Sequence, residues 1–448
     1  MSFTQTVSCA WKDMRLQERA ALALYGRLTR LLPGGLILAV LRQRAKRNPG
    51  REAVHRIPER IGLGLPKRPN GSLIWLNTIG PGDATALLPL IRAILKHDPN
   101  AICMVTTRTA SAQKVYQRLD DLSRVIVQLA PLDLPAALQR FLDHWQPDLA
   151  IFNEGDLWPN TFQMLKVRNV PIALVNMQMN GRLGRAVGKR PKIAQWMLSH
   201  VDYVHLFPET DIAKARPWFR LDCKFAGSPN LKADAPPLTV SNTIMGVMRA
   251  RWGDAPILTC ASIANHEVET LLETAKLLRQ ALPDLRLILV PRWVEQGAGI
   301  AEIVRASGAS FSCRASGELP RAEDQVFVAD SYGEMGNWIE LSFAVFMGHT
   351  LGGGIGHNPY EPIAQKRMIL SGSIPHLLRS DYQNLVDLDL CYVAEDAPAL
   401  AKACFSIWKA GKDATEPFAK FARLRGFAEP IAAELLSLNA QGKHREAV

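Results

Sequence analysis

The sequence predicts an α/β protein made of two doubly wound domains of similar size. Three observations carry that expectation. From Ser72 onward, short apolar runs alternate with helical stretches of ten or more residues, the pattern of strands joined by helical crossovers. The alternation pauses once, over the Pro-, Gly- and polar-rich residues 227–239 (GSPNLKADAPPLT), and then resumes. The length, 448 residues, suits two or three domains at roughly 100–200 residues each.

In the first half the expected strands are Ser72–Asn77, Ala101–Thr106, Arg124–Leu129, Asp148–Asn153, Pro171–Asn176 and Asp202–Phe207. Helices such as Asp83–His97 and Leu134–Trp145 lie between them. In the second half they are Pro256–Ala261, Leu285–Val290, Gln325–Ala329, Phe343–Met347, Met368–Ser371 and Cys391–Ala394. Runs this apolar suit strands buried on both faces, and strand–helix alternation implies parallel sheets. The expected organisation is therefore a first domain over 51–226, a linker over 227–239, and a second domain over 240–448 that includes the C-terminal helices. Ligands in such folds bind at the carboxyl ends of strands, and with two domains also in the cleft between them.

Residues 1–50 read differently. The chain carries a net charge of +11, and residues 1–68 hold 14 Lys or Arg against 4 Asp or Glu, so nearly all of the excess lies there. A nucleic-acid binder usually spreads such charge over a folded face, so nucleic acid is not the expected partner. The most apolar run, Leu31–Leu41, lies between Arg27 and Arg30 on one side and Arg42, Arg44, Lys46 and Arg47 on the other. Its 11 residues fall short of the roughly 20 needed to span a bilayer. An element lying on a membrane surface with anionic lipids fits this pattern, and a buried core helix with basic flanks is the competing reading. The seven cysteines form no CxxC pair, which favours a reducing compartment over a disulfide framework.

The residues able to carry chemistry follow the expected strands. After the first comes Gly80-Pro81-Gly82-Asp83; Asp83 is either a helix cap or a catalytic carboxylate. After the fourth comes Glu154-Gly155-Asp156-Leu157-Trp158-Pro159-Asn160. Acidic groups there are costly unless paired or used, though Asp156 could also cap the next helix. In the second half, Arg292 follows a strand and suits a phosphate. Gly333-Glu334 precedes a helix, and the glycine-rich run Gly348–Gly356 leads into His357-Asn358-Pro359-Tyr360-Glu361-Pro362. That glycine spacing matches neither a dinucleotide fingerprint nor a P-loop. The histidines include no HxxxH or HExxH, and Asp387-Leu388-Asp389 lacks loop character, so no metal site is expected.

Together these segments resemble the bacterial 3-deoxy-D-manno-octulosonic acid (Kdo) transferase family. The resemblance also takes in Arg56–Gly64 (RIPERIGLG), Pro131-Leu132-Asp133, Val175-Asn176, Asn230-Leu231-Lys232 and Pro291-Arg292. It implies a GT-B glycosyltransferase with two Rossmann-like domains and a cleft between them. It implies an inverting enzyme of the EC 2.4.99 type, taking Kdo from CMP-Kdo to a lipid A precursor in lipopolysaccharide core biosynthesis. No cofactor or metal is expected beyond the nucleotide-sugar donor, and the expected place is the cytoplasmic face of the inner membrane, beside the glycolipid acceptor. By alignment Asp83 replaces the family's catalytic Glu, and Glu154 matches the first acid of its Glu-Thr-Glu segment. Arg292, Gly333, Glu334, Asn358 and Glu361 fall on the CMP-sugar side; Asp156 and Arg182 are acceptor-side candidates. The chain departs from the family at Ser262-Ile263-Ala264, where the family has Ser-Thr-His, and at Trp293, where it has His. Those departures keep two alternatives in view: a paralogue using a related sugar acid or another glycolipid acceptor, and a weakly catalytic glycolipid-binding relative.

Overall fold

The computed structural model describes residues 16–47, 54–117, 123–155, 157–179, 181–208, 210–411 and 415–446. The chain forms two compact units. One runs to Asp234 and takes in the stretch from Gly426 onward; the other spans Ala235–Arg425.

The first unit contains β1 (Ser72–Asn77), β2 (Ala101–Thr107), β3 (Val125–Leu129), β4 (Leu149–Asn153), β5 (Ile172–Met177), β6 (Tyr203–Leu206) and β7 (Lys224–Gly227). All pair in parallel, in the order β3-β2-β1-β4-β5-β6-β7. The order reverses between β1 and β4, which makes the carboxyl ends of these two strands the switch point. Both sheet faces are buried because successive side chains alternate across the strand. Leu73 and Trp75 enter one core with Phe141, Trp145, Phe152 and Phe162. Ile74 and Leu76 enter the other with Leu87, Ile91 and Val105.

The second unit repeats the plan with β8 (Ile257–Ile263), β9 (Arg286–Pro291), β10 (Phe311–Cys313), β11 (Val326–Val328), β12 (Ala344–Met347), β13 (Met368–Ser371) and β14 (Cys391–Val393). Their order is β10-β11-β9-β8-β12-β13-β14, again all parallel. Here the switch point lies between β8 and β12.

Four expectations need correction. The strands β7 and β10 were not foreseen; they are short edge strands whose residues are half exposed, so their sequences lack a buried apolar run. The helix Ala428–Glu446 was grouped with the second domain. It instead packs on the first, placing Ile431, Ala432, Leu435 and Leu438 in the core beside Leu87 and Ile91. Ion pairing of Lys96 with Glu429 at 2.7 Å and a bond from Asn439 Nδ2 to Ser72 Oγ at 2.9 Å hold it there. The stretch 227–239 is only partly a linker: β7 ends at Gly227 and a 3-10 turn, Leu231–Asp234, still belongs to the first unit. Finally, the apolar run Leu31–Leu41 is not one element. Pro33 divides it between the helices Leu16–Leu31 and Gly34–Arg47, because proline cannot continue a helix from its interior.

Candidate active site

Helix Pro81–His97 starts directly after β1, with Gly80 as its N-cap and Pro81 at its first position, a place where proline costs nothing. Asp83 is therefore the third helical residue and not the cap itself. Its Oδ2 accepts from the Gly80 N–H at 3.4 Å, the back-reaching half of a capping box. At the end of β4, Asn153 donates from Nδ2 to the Asp83 carbonyl at 3.3 Å. The next residue, Glu154, turns into the left-handed region with φ 55°, and Gly155 follows at 79°. For a side-chain-bearing residue this costs on the order of 1–3 kcal/mol, a strain typical of functional turns.

The two carboxylates converge on one cation. Lys232 Nζ lies 2.5 Å from Glu154 Oε1 and 3.6 Å from Asp83 Oδ1. Burial pushes the Glu154 carboxyl above its ordinary range, the Lys232 ammonium opposes this, and the neighbouring Asp83 adds to it. Lys232 is held by its own turn. Its N–H donates to Asn230 Oδ1 at 3.0 Å, and the Leu231 N–H donates to Asn176 Oδ1 at 3.0 Å. Asn176, also left-handed with φ 57°, gives its N–H to His205 Nδ1 at 3.1 Å. His205 Nε2 meets Ser228 Oγ at 2.8 Å, and that hydroxyl donates to the Pro229 carbonyl. This chain of bonds fixes a neutral imidazole with its proton on Nε2, and burial holds its pKa down at about 3.

A second anchor lies nearby. Asp133 is buried and accepts from Tyr25 Oη at 2.8 Å, Asn160 N at 3.1 Å, Thr161 N at 2.8 Å and Thr161 Oγ1 at 2.6 Å. Burial raises its carboxyl, and these donors pull it back. Asn160 Nδ2 also reaches the Asp133 carbonyl at 2.7 Å and Thr29 Oγ1 at 3.2 Å. The Asp133 and Asn160 motifs thus hold helix Leu16–Leu31 to the first unit. Beside them is a small cavity of about 70 Å³ lined by Arg60, Asn77, Arg108, Asp133 and Trp158, with the Arg108 guanidinium 5.4 Å from the Trp158 ring. Asp156 lies outside the described residues. Helix Arg182–Lys189 begins at Arg182, whose side chain is outside them as well.

In the second unit the organising group is Glu267, fully buried at the start of the helix after β8. Its Oε2 accepts from Ala264 N and His349 N, each at 2.8 Å, and its Oε1 from Thr350 N at 3.0 Å and Leu351 N at 3.1 Å. The glycine-rich loop after β12 is thereby tied to the turn after β8. Gly354 is obligatory there, since a Cβ would meet the His349 carbonyl oxygen at 2.1 Å. Arg292, just past β9, is exposed, with its guanidinium 4.8 Å from the Trp293 ring. His357 is pushed down to about 3 by burial, then by the charge of Arg292 and by His349, whose Nδ1 lies 3.3 Å from His357 Nε2. Arg292 is therefore within electrostatic reach of the end of that loop. Asn358 Oδ1 accepts from Tyr360 N at 3.2 Å, and Glu361 sits in the first turn of helix Tyr360–Ala364. Gly333, with φ 84°, shapes the turn that presents Glu334. Glu334 is engaged within the protein: Arg314 Nε and Nη2 each donate to it at 2.9 Å, Ser331 Oγ donates to it too, and Arg314 holds its carboxyl below the ordinary range.

A larger cavity of about 1270 Å³ opens at the opposite, amino-terminal ends of β8 and β13, lined by Arg249, Ile257, Phe343, Met368 and Trp408 among others. No site residue expected from the sequence lines it. Among the described residues, no three His, Cys, Asp or Glu side chains cluster as ligands for a metal.

Residues 55–235 match the family model described as 3-deoxy-D-manno-octulosonic-acid transferase (kdotransferase). A 3-deoxy-D-manno-octulosonic acid transferase of Haemophilus influenzae is 30% identical over 358 residues, covering 78% of this chain and 82% of that protein. The chain belongs to the Kdo transferase family. It is also 27% identical over 324 residues to the transferase of Rickettsia bellii, covering 72% of this chain and 76% of that protein. Among solved structures, a putative UDP-N-acetylglucosamine 2-epimerase from Listeria monocytogenes superposes with a TM-score of 0.56 at 13% identity, covering 85% of this chain and 98% of that one. The UDP-GlcNAc 2-epimerase of Neisseria meningitidis gives 0.56 at 10% identity, covering 81% and 99%. These likenesses show the fold: GT-B, with two Rossmann-like domains. As a Kdo transferase the protein is a glycosyltransferase enzyme.

Sequence reading found Asp83 and Glu154, and the structure brings them together. It matched Lys232 only as part of a motif and missed Glu267 altogether. The one signal for Glu267 was its place three residues after Ala264 at the start of a helix, where it looks like an ordinary N-terminal acid.

Proposed function

We propose that this Kdo transferase takes Kdo from CMP-Kdo and attaches it to a lipid A precursor, with Asp83 as general base. The observation that carries the reading is the convergence of Asp83 and Glu154 at the switch point of the first sheet, where α/β folds bind their ligands. In the step envisaged, the acceptor hydroxyl gives its proton to Asp83 as its oxygen bonds the anomeric carbon of Kdo. The bond from that carbon to the CMP phosphate breaks, and its electron pair leaves with the phosphate. Arg292, within electrostatic reach of the end of the glycine loop, suits the phosphate charge, because a guanidinium offers a planar fork of donors. Glu361 suits a ribose diol. Arg60 and Arg108, beside Trp158, suit an anionic, partly apolar glycolipid headgroup.

The enzyme would work at the cytoplasmic face of the inner membrane. Helices Leu16–Leu31 and Gly34–Arg47 expose Leu24, Leu28, Leu31, Leu36 and Val40. Glu18–Leu31 and Gly34–Lys46 meet at 86°, and among the described residues no single helix is long and apolar enough to cross a membrane. Leu24, Leu28 and Leu31 recur at helical spacing on one face, as in an element lying on a lipid surface. Arg27, Arg30, Arg42 and Arg44 stand among them, each able to contribute about 1 kcal/mol on anionic lipid.

Mass spectrometry after incubation with CMP-Kdo and lipid A precursor tests the reaction: the acceptor should gain the mass of Kdo. An unmodified acceptor, or gain of a different sugar acid when both donors compete, would overturn it. Flotation with anionic vesicles tests the surface: Leu28→Glu with Leu31→Glu should leave the protein unfloated, and equal flotation would contradict the assignment.

A further inference from the structure

Two carboxylates that approach each other in a partly buried site do not both ionise readily, because like charges raise each other's pKa. Asp83 and Glu154 reach one ammonium from two sides, and the charge of Asp83 is one of the influences that raise Glu154. A general base must be ionised before it reacts, and a cation set between two acids favours that state. The structure contains one. Lys232 Nζ contacts Glu154 at 2.5 Å and stands farther, 3.6 Å, from Asp83. Its side chain is only 14% exposed, against 17% for Asp83 and 22% for Glu154, so water screens the three charges weakly.

The turn that carries Lys232 is held as well. The Lys232 backbone N–H is held by Asn230 and the preceding N–H by Asn176, and Asn176 rests on the neutral His205. Among the described residues, the titratable groups seen to pair with the ammonium are Asp83 from helix Pro81–His97 and Glu154 from the turn after β4. Tyr116, whose hydroxyl donates to the Ala84 carbonyl at 2.9 Å, stands behind Asp83, and His205 on β6 stands behind Asn176. Tyr116 is held neutral by burial, and then by the charge of Asp83.

We propose that Lys232 is a positioning residue for catalysis: it neutralises Glu154, so that Asp83 behaves as a single, ionised carboxylate facing the acceptor hydroxyl. Before reaction the three groups sum to one negative charge; after Asp83 takes the acceptor proton they sum to zero. Lys232 is assigned no contact with either sugar. It acts through Glu154 and through the distance it sets between the two acids. The proposal rests on the Kdo-transfer reading for its kinetic test.

The experiment measures initial transfer rates between pH 5.5 and 9 for the wild type, Lys232→Met, Lys232→Arg and the double variant Lys232→Met with Glu154→Gln. Removing a charge within ion-pair distance should move the acidic limb of the Lys232→Met profile upward by about 1–3 pH units. On the acid side of the wild-type limb its rate should therefore fall about ten- to a thousandfold, and it should recover as pH rises past the new limb. Lys232→Arg should keep the wild-type limb. The double variant, which deletes one positive and one negative charge together, should return the limb to its wild-type position. A rate lowered by one factor at every pH, or a double variant whose limb stays high, would overturn the proposal. If Lys232→Met does not fold, the arginine and double variants still decide it. Carboxyl carbon NMR of Asp83 in wild type and double variant, against Lys232→Arg with Glu154→Gln, gives an activity-free reading: the titration midpoint should match in the first two and fall in the third. Should the wild type give no product from CMP-Kdo, the donor reading fails, and the NMR titration alone judges Lys232.

Discussion

In the first unit, the turns after β1 and β4 carry Asp83 and Glu154, whose carboxylates meet the Lys232 ammonium. In the second, the turns after β8 and β12 are joined by Glu267, whose carboxylate takes four backbone N–H groups. The sheets beneath are alike, and each places its loops at a switch point beside its first strand. The difference is what the acid is for. Side-chain charges paired with side-chain charges can exchange protons with a substrate. A carboxylate surrounded by amides cannot leave them, and so fixes the shape of a loop that a ligand approaches. Left-handed residues occur at both places: Glu154 and Asn176 in one unit, Ser262 and His349 in the other. Both units hold their backbone in costly conformations where strands end.

The comparison breaks most visibly at Glu267. Glu267→Ala leaves four buried N–H groups without an acceptor, at about 1–3 kcal/mol each, so the second unit should lose about 4 kcal/mol or more. Calorimetry should show a lowered or missing transition together with lost CMP binding. A variant as stable as wild type would mean the loop after β12 holds its own shape.

Arg292→Ala should act on binding alone. Loss of a charge-assisted bond to phosphate costs about 1.5–3 kcal/mol, or roughly ten- to a hundredfold in CMP affinity. Titration calorimetry should register this with the melting temperature unchanged, since Arg292 is exposed.

Acid should weaken both units in the same direction. His205 and His357 each have a pKa held down at about 3 by burial, whereas an unfolded histidine titrates near 6.5. Below pH 6.5 the unfolded chain binds protons that the folded sites refuse, so stability is full above that pH and lost as it falls toward 3. Each histidine should cost about 2 kcal/mol by pH 5, at about 1.4 kcal/mol per pH unit. His205→Gln should flatten this dependence for the first unit only. Equal acid sensitivity with and without His205 would sever the link between Asn176 and Ser228.

How far the sequence reaches differs between the same regions. Strands such as SLIWLN and LAIFN are continuous apolar runs because both their faces are covered, and that burial is written in composition. β7 and β10 are edge strands with one side open, and their residues, KFAG and FSC, look like any loop. Helix Ala428–Glu446 has only a weak amphipathic pattern, and nothing in its residues says which of two sheets it returns to. Asp83 and Glu154 were legible because Glu154 directly follows a strand and Asp83 opens the helix after one. Their partner Lys232 comes from a 3-10 turn far along the chain, next to β7, and only the strand order carries it to them. Glu267 hides for the opposite reason: an acid at a helix start has a common local explanation.

If Asp83 is the base while the second unit holds the donor, Asp83→Asn should stop the chemistry and spare the binding. Asparagine can still accept from the Gly80 N–H, as Asp83 does, but it cannot take a proton. Turnover, CMP affinity and melting temperature should be measured on the same preparation. The rate should fall by about 10²–10⁴, with CMP binding unchanged and stability within about 0.5 kcal/mol of wild type. A variant that transfers Kdo at near wild-type rate would contradict it and leave Asp83 as a helix-capping residue alone.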